Sequence, residues 1–267
     1  MSSPSDLLTR AGARYHAMRT YASEGVVTSR LVRAGRELVT ETAFTMRLGK
    51  PRFYLLTWTF RGFGRERSGA VWNTGQGAHL YLSHLNAYAR QRDDWVALSA
   101  AHGASGGAVG ELPYLFFKGK DVLTELAEAR VEQVDYLRGE ACYVISGASQ
   151  ISRRHVVWIS RDRLLLLKIQ RSFSRLSGPR TADAVASQMG EAHLAKAIGE
   201  IGADVTEQDK TKLRRLLTRM KRVLAAVTDI DGDITQTHTA ITVNEAAPPE
   251  AFAFAPPSTA RLKSVLF

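Results

Sequence analysis

Residues 141–173, ACYVISGASQISRRHVVWISRDRLLLLKIQRSF, limit what the chain can fold into more than any other stretch. They read as three strands joined by two short connections. Cys142, Val144 and Ser146 alternate with Tyr143 and Ile145, the period of a half-buried strand. A polar break over 147–152 precedes the β-branched and aromatic run Val156, Val157, Trp158 and Ile159. Arg161-Asp162 then supplies turn chemistry before the next strand. That strand opens with Leu164, Leu165, Leu166 and Leu167, apolar on both faces. Such a strand has to be covered twice, so a core lies on one side and a lid or a ligand on the other.

The rest of the chain can be placed against this sheet. Leu7, Leu8, Ala11, Tyr15 and Met18 have helical spacing, which predicts an amphipathic helix over 5–20 capped by Ser3 or Ser5. From residue 25 the period changes to two, and a long hairpin is expected over 26–48, with its turn at Gly35 and with Thr42, Phe44, Met46 and Leu48 on one face. After Lys50-Pro51, Tyr54, Leu56, Trp58 and Phe60 line one side of a further strand. Residues 62–67 read as a loop, 70–73 and 78–83 as short strands around a glycine turn, and 95–101 as a helix capped by Asp93-Asp94. The segment 112–117 is too apolar for an exposed loop and is expected to plug the core. A short helix is expected over 121–130, then strands over 131–137 and 142–146. Two helices over 181–198 and 206–227 follow, the second opened by a capping-box pattern, and a last strand covers 234–244.

Composition narrows the function classes. With 45% hydrophobic and 23% charged residues, the chain has a globular composition, and at this length it can build a core without disulfides or metals. Its one cysteine, Cys142, reads as a small buried hydrophobe. No apolar run approaches the ~18 residues of a membrane span. The start lacks the apolar region of a signal peptide, so the expectation is either a cytoplasmic chain or one that begins after a removed leader. Seven scattered histidines show no ligand spacing, so neither a metal nor a cofactor is expected. A hydrolase is not expected either: GxSxG is missing, and Ser105 in GASGG does not follow a buried strand. The net charge of +10 calls for an anionic partner. Half of that excess sits on the helix 206–227, where Lys212, Arg215, Arg219 and Arg222 lie beside an apolar stripe. These residues are the candidate docking surface for an anionic membrane or an acidic protein. No aromatic residue interleaves with them, which argues against nucleic acid.

The order of features resembles the lipoprotein-localisation carrier superfamily, the periplasmic LolA/LolB type. An N-terminal helix leads into long strands, and a basic-Pro step at Lys50-Pro51 opens an aromatic strand containing Trp58. WNTGQGAHLYL follows at 72–82, then a helical middle, a strand ending in WIS, a leucine-rich strand, and a tail with Phe252, Phe254, Pro256 and Pro257. The resemblance implies an α+β fold: an incomplete antiparallel β-barrel wrapped around helices, spanning 1–267 as one domain. A helical insertion over 176–232 precedes the last strand and has no counterpart in the simplest carriers. It also implies a periplasmic, non-enzymatic carrier whose half-barrel cavity takes a lipid or the acyl chains of a lipoprotein. Phe44, Met46, Leu55, Trp58, Trp72, Leu80, Leu82, Phe116, Trp158, Leu165 and Leu167 are the expected cavity lining. The carriers have Arg before the Pro, tied to closing a helical lid, which makes Lys50 the expected latch here. The alternative from another class is an envelope sensor that recognises a protein through the same concave face.

Overall fold

A computed structural model describes residues 3–33, 35–119, 126–148, 152, 154–173, 211, 230–264 and 266. Period-two sequence becomes two meanders. The first is β1 (Thr20–Arg33), β2 (Arg36–Gly49), β3 (Phe53–Gly62), β4 (Arg65–Asn73), β5 (His79–Leu82) and β6 (Ala87–Arg90). The second is β7 (Ala127–Leu137), β8 (Glu140–Ala148), β9 (Arg154–Ser160), β10 (Leu166–Phe173) and β11 (Ile230–Val243). They join where β1 pairs with β11 along nearly its whole length. With β12 (Arg261–Leu262) running parallel to β6, the result is one open sheet of 12 strands in the order β12-β6-β5-β4-β3-β2-β1-β11-β10-β9-β8-β7. All other neighbours are antiparallel.

Three helices cover one face: α1 (Pro4–Ala17), α2 (Asp94–Ala104) and α3 (Leu112–Lys118). Ser3 caps α1 by accepting from Asp6 N, and the helix buries Leu7, Leu8, Ala11 and Tyr15. Asp93 caps α2 by accepting from Trp95 N and Val96 N. Pro113 starts α3 where a missing N–H costs nothing, and Gly119 ends it at φ 62°. Their apolar sides merge with Phe44, Met46, Leu48, Tyr54, Leu56, Trp58, Val71, Leu80 and Leu82 into one buried cluster. Each such side chain contributes about 1.5–3 kcal/mol on burial. Two strand glycines are required here. A Cβ on Gly25 would stand 2.3 Å from the Phe44 ring and from the Thr237 carbonyl oxygen, and one on Gly69 would stand 2.2 Å from Trp58.

The outer face carries a second, smaller cluster of Ala70, Trp72 and Tyr81, packed by Leu55, Tyr88 and Phe254. The C-terminal segment crosses this face. Phe252 meets Phe53 at 5.7 Å between ring centroids, Phe254 meets Trp72 at 5.1 Å and Tyr81 at 5.6 Å, and the chain ends alongside β6. The FxFxPP ending is therefore a strap across the outer face of the sheet.

The structure departs from expectation in several elements. Residues 127–130, expected to be helical, open β7, because pairing with β8 outweighs the helix-forming residues Ala127, Glu128 and Ala129. Residues 121–125 lie outside the described residues. Residues 65–67 belong to β4, and the turn is only Phe63-Gly64, at φ 54° and 67°. The apolar plug 112–117 is a helix, and β6 was not anticipated. Residues 230–232, placed in the insertion 176–232, begin β11. The remainder of that insertion, including the helices expected over 181–198 and 206–227, lies outside the described residues except Thr211, which is helical. Cys142 is buried, and that burial pushes its thiol pKa up. Among the described residues no helix is long and apolar enough to cross a membrane.

Candidate ligand site

Helices α2 and α3 form one covering unit on the sheet. Trp95 stacks on Tyr114 at 4.9 Å, the Lys118 ammonium sits 3.9 Å above the Trp95 ring, and Ser99 Oγ is 3.2 Å from Tyr114 Oη. Ser105, which ends α2, is fully buried. Its hydroxyl donates to His102 O and accepts from Val109 N, so it shapes the connecting loop and faces no open space.

Polar contacts hold this unit to the sheet at three places. At the rim, Lys50 Nζ donates to Phe116 O at 2.5 Å, beneath the rings of Phe116 and Phe117. Partial burial lowers the Lys50 pKa. The Lys50-Pro51 peptide is cis. At the start of α2, Asp94 Oδ1 accepts from Tyr54 Oη at 2.9 Å and Asn73 Nδ2 at 2.7 Å. Deep in the sheet, Gln236 Nε2 donates to Ala108 O at 3.2 Å, and Arg171 pairs with Glu111, which immediately precedes α3. Burial pulls the Arg171 pKa down to about 10, so it stays charged at neutral pH. The same strip of floor holds His155, with its pKa lowered to about 4 by burial, and His238, lowered to about 3. Ser23 Oγ lies 3.2 Å from His238 Nδ1.

The expected lining residues divide between the two faces. Phe44, Met46, Trp58, Leu80, Leu82, Phe116 and Leu165 meet in the cluster under the helices. Leu55 and Trp72 do not join them and lie in the outer cluster. The reason is the strand period: Tyr54, Leu56 and Trp58 face inward, so Leu55 and its partner Trp72 must face outward. Trp158 and Leu167 belong to the same buried cluster as Phe44 and Met46, but the register sets Trp158 at the opposite parity from the inner-face residues. Val157 is the residue aligned with Ile169 and Gln236 on the inner face, whereas Trp158 donates to Asp135 and lies under the Lys168 ammonium at 4.2 Å. Leu167, next to the bulge in β10, borders a 90 Å³ pocket with Glu140, Arg163 and His238. Leu165, Leu166 and Leu167 are buried, but the strand expected from Leu164 starts only at Leu166: half-buried Leu164, at φ 54°, and Leu165 belong to the connection from β9. Leu166 N donates to Tyr15 Oη of α1, so a helix supplies the cover on one side. Lys212, Arg215, Arg219 and Arg222 lie outside the described residues.

Among the described residues, clefts open around the rim of the covering unit. A 530 Å³ cleft runs between Pro51, Arg52, Phe53, Gly75, Gly77 and Trp95, and a 180 Å³ pocket beside it reaches Phe117 and Lys118. The inner face packs against its own helices, and these clefts run along the edge where Lys50 holds α3.

No family model matches the chain, and no curated protein matches it in sequence. Solved structures do. A DUF1329 family protein from Desulfovibrio piger aligns over 94% of this chain and 95% of its own, at 12% identity and a TM-score of 0.34. An outer membrane lipoprotein-sorting protein domain from Vibrio parahaemolyticus aligns over 93% and 95%, at 9% identity and 0.33. A LolA superfamily protein from Nitrosomonas europaea aligns over 95% of this chain and 99% of its own, at 9% identity and a TM-score of 0.24. At these identities and scores the architecture of this chain rests on its own strands and helices, an open and mostly antiparallel sheet covered by helices.

Sequence reasoning missed Arg171, Glu111, Gln236 and His155. The signal for three of them was present as polar residues at apolar parity: Arg171 two positions after Ile169, Gln236 two after Ile234, and His155 two before Val157.

Proposed function

We propose that this LolA-like chain is a non-enzymatic envelope carrier that takes acyl chains of a lipid or lipoprotein onto the inner face of its half-barrel when the α2–α3 unit lifts. The observation that carries this reading is the construction of that face. A continuous apolar floor of Phe44, Met46, Trp58, Leu80 and Leu82 is covered by helices that pack on it through Leu98, Leu112, Leu115 and Phe116 and are tied to it by a few polar contacts, Lys50 to Phe116 O at the rim among them. Displacing the helices opens a surface on which each buried CH₂ of a ligand contributes about 0.8 kcal/mol. Docking is assigned to the basic residues Lys212, Arg215, Arg219 and Arg222, which suit an anionic membrane surface. Each contributes about 1 kcal/mol near such a surface. The test is mass spectrometry of gently purified protein together with uptake of a fluorescent fatty acid. Co-purified lipid or saturable uptake is expected, and the absence of both refutes the carrier.

A further inference from the structure

Arg171 is out of place on an acyl-binding floor. It stands on the inner face of β10, two residues after buried Ile169, with its side chain 9% exposed, and its ion-pair partner among the described residues is Glu111. Glu111 belongs to the lid, not to the sheet. Gln236, on the neighbouring strand, likewise spends its amide on the lid carbonyl of Ala108. His155, aligned with Arg171 across β9 and β10, is 4% exposed, and its Nε2 has no hydrogen-bond partner among the described residues. Lifting the lid therefore removes the counter-ion of a cation seated deep in the sheet, and leaving a buried charge unpaired is among the costliest changes a fold can undergo. A neutral acyl chain does nothing to restore the pair. A ligand with a negative head restores it, and finds the amide of Gln236 and the ring of His155 beside it.

We infer that the ligand is an amphiphile with an anionic head, carboxylate or phosphodiester, which replaces Glu111 on Arg171 while its chain lies on the apolar floor. This rests on the carrier reading and names its ligand class. Glu111 is then the internal stand-in that keeps Arg171 paired while the site is empty, and the lid closes by the same contact that the ligand displaces.

The test compares four probes on the full chain: a long-chain fatty acid, its methyl ester, phosphatidylglycerol and diacylglycerol. At least one anion should bind roughly tenfold or more tightly than its neutral counterpart, the effect of one charged hydrogen bond at the low end of its range. Preference for the acid identifies a carboxylate head, and preference for phosphatidylglycerol a phosphodiester. Arg171→Gln should erase the preference. Because that variant removes a buried ion-pair partner and can lose its fold, the four-probe comparison on the parent chain carries the test independently, and the second variant, read only where its circular dichroism matches the parent, is Glu111→Gln. It frees Arg171 of its competitor, so the preferred anion should bind several-fold more tightly than to the parent while the preference persists. Binding of acid and ester alike, with phosphatidylglycerol and diacylglycerol also alike, overturns the anionic-head inference and leaves the carrier standing, as does unchanged anion affinity in Glu111→Gln. Binding of none of the four overturns both.

Discussion

Replacing Lys50 should change how often the lid opens, and the structure sets the size of the change. The Lys50 ammonium makes one charged hydrogen bond to Phe116 O and lies 4.8 Å from the Phe116 ring centroid. A charged hydrogen bond contributes about 1.5–3 kcal/mol and an exposed cation–π contact about 0.5–1 kcal/mol. Lys50 is only half-buried, so the low ends apply and their sum is about 2 kcal/mol. Lys50→Leu keeps much of the aliphatic stem and loses the charge, which shifts the closed-to-open ratio by roughly 30-fold. Where lid opening limits uptake, stopped-flow mixing with a fluorescent fatty acid should show the rate rising by about that factor. Lys50→Arg should move it the other way, since a planar fork with five donors can grip more than one carbonyl at the end of α3. The pair of variants separates a latch from a bystander. If Lys50→Leu and Lys50→Arg both take up ligand at the parental rate, the hydrogen bond to Phe116 O does not govern opening.

Other parts of the fold make separate claims. Tyr15→Phe leaves the buried Leu166 N–H without its acceptor and should cost about 1–3 kcal/mol in urea denaturation, with a parental stability counting against the contact. Gly25→Ala sets a methyl group against both a ring and a backbone carbonyl, so the variant should fail to accumulate as folded protein, and normal expression with a parental melting temperature would contradict the register of β1 and β11. His155 and His238 are held neutral by burial, with folded pKa values of about 4 and 3 against the usual 6.5. The unfolded chain therefore binds more protons than the folded one below about pH 6.5. Stability should be full above that pH and fall by about 1.4 kcal/mol per unit for each histidine as the pH drops toward 4. Denaturation of His238→Phe across this range should show a shallower slope, and an unaltered slope would mean that His238 is not buried. Phe63, 64% exposed in a two-residue turn at φ 54°, should be replaceable by Asn with a gain of roughly 1 kcal/mol, measurable as a higher urea midpoint.

The sequence made the framework readable because period-two runs and caps are local signals. Ser3 and Asp93 cap the helices they were expected to cap, and the faces of β2 and β3 follow from Phe44, Met46, Tyr54, Leu56 and Trp58. The errors arose where the decisive partner is distant in the chain. Ala127, Glu128 and Ala129 prefer a helix until β8 offers hydrogen bonds, and Leu55 and Trp72 look like lining until Phe254, some 180 to 200 residues later, covers them from outside. The polar floor was hidden for a related reason. Arg171 looks like a strand terminus in the sequence, and only Glu111 on a separate helix makes it a buried pair.

The seam between β1 and β11 bears on how the chain comes to be folded. β1 is finished by residue 33, yet the strand that flanks it on that side starts only at residue 230. The first meander can zip up through short turns with little loop-closure entropy, whereas residues 174–229 separate β10 from β11 and the junction of β1 with β11 must gather residues about 200 positions apart. During synthesis β1 therefore waits with one bare edge, next to the exposed half of the apolar floor, until residues about 200 positions further on have emerged. High contact order of this kind makes the final joining the slow step. Until then, the edge that most needs protection from other chains belongs to the strand made first.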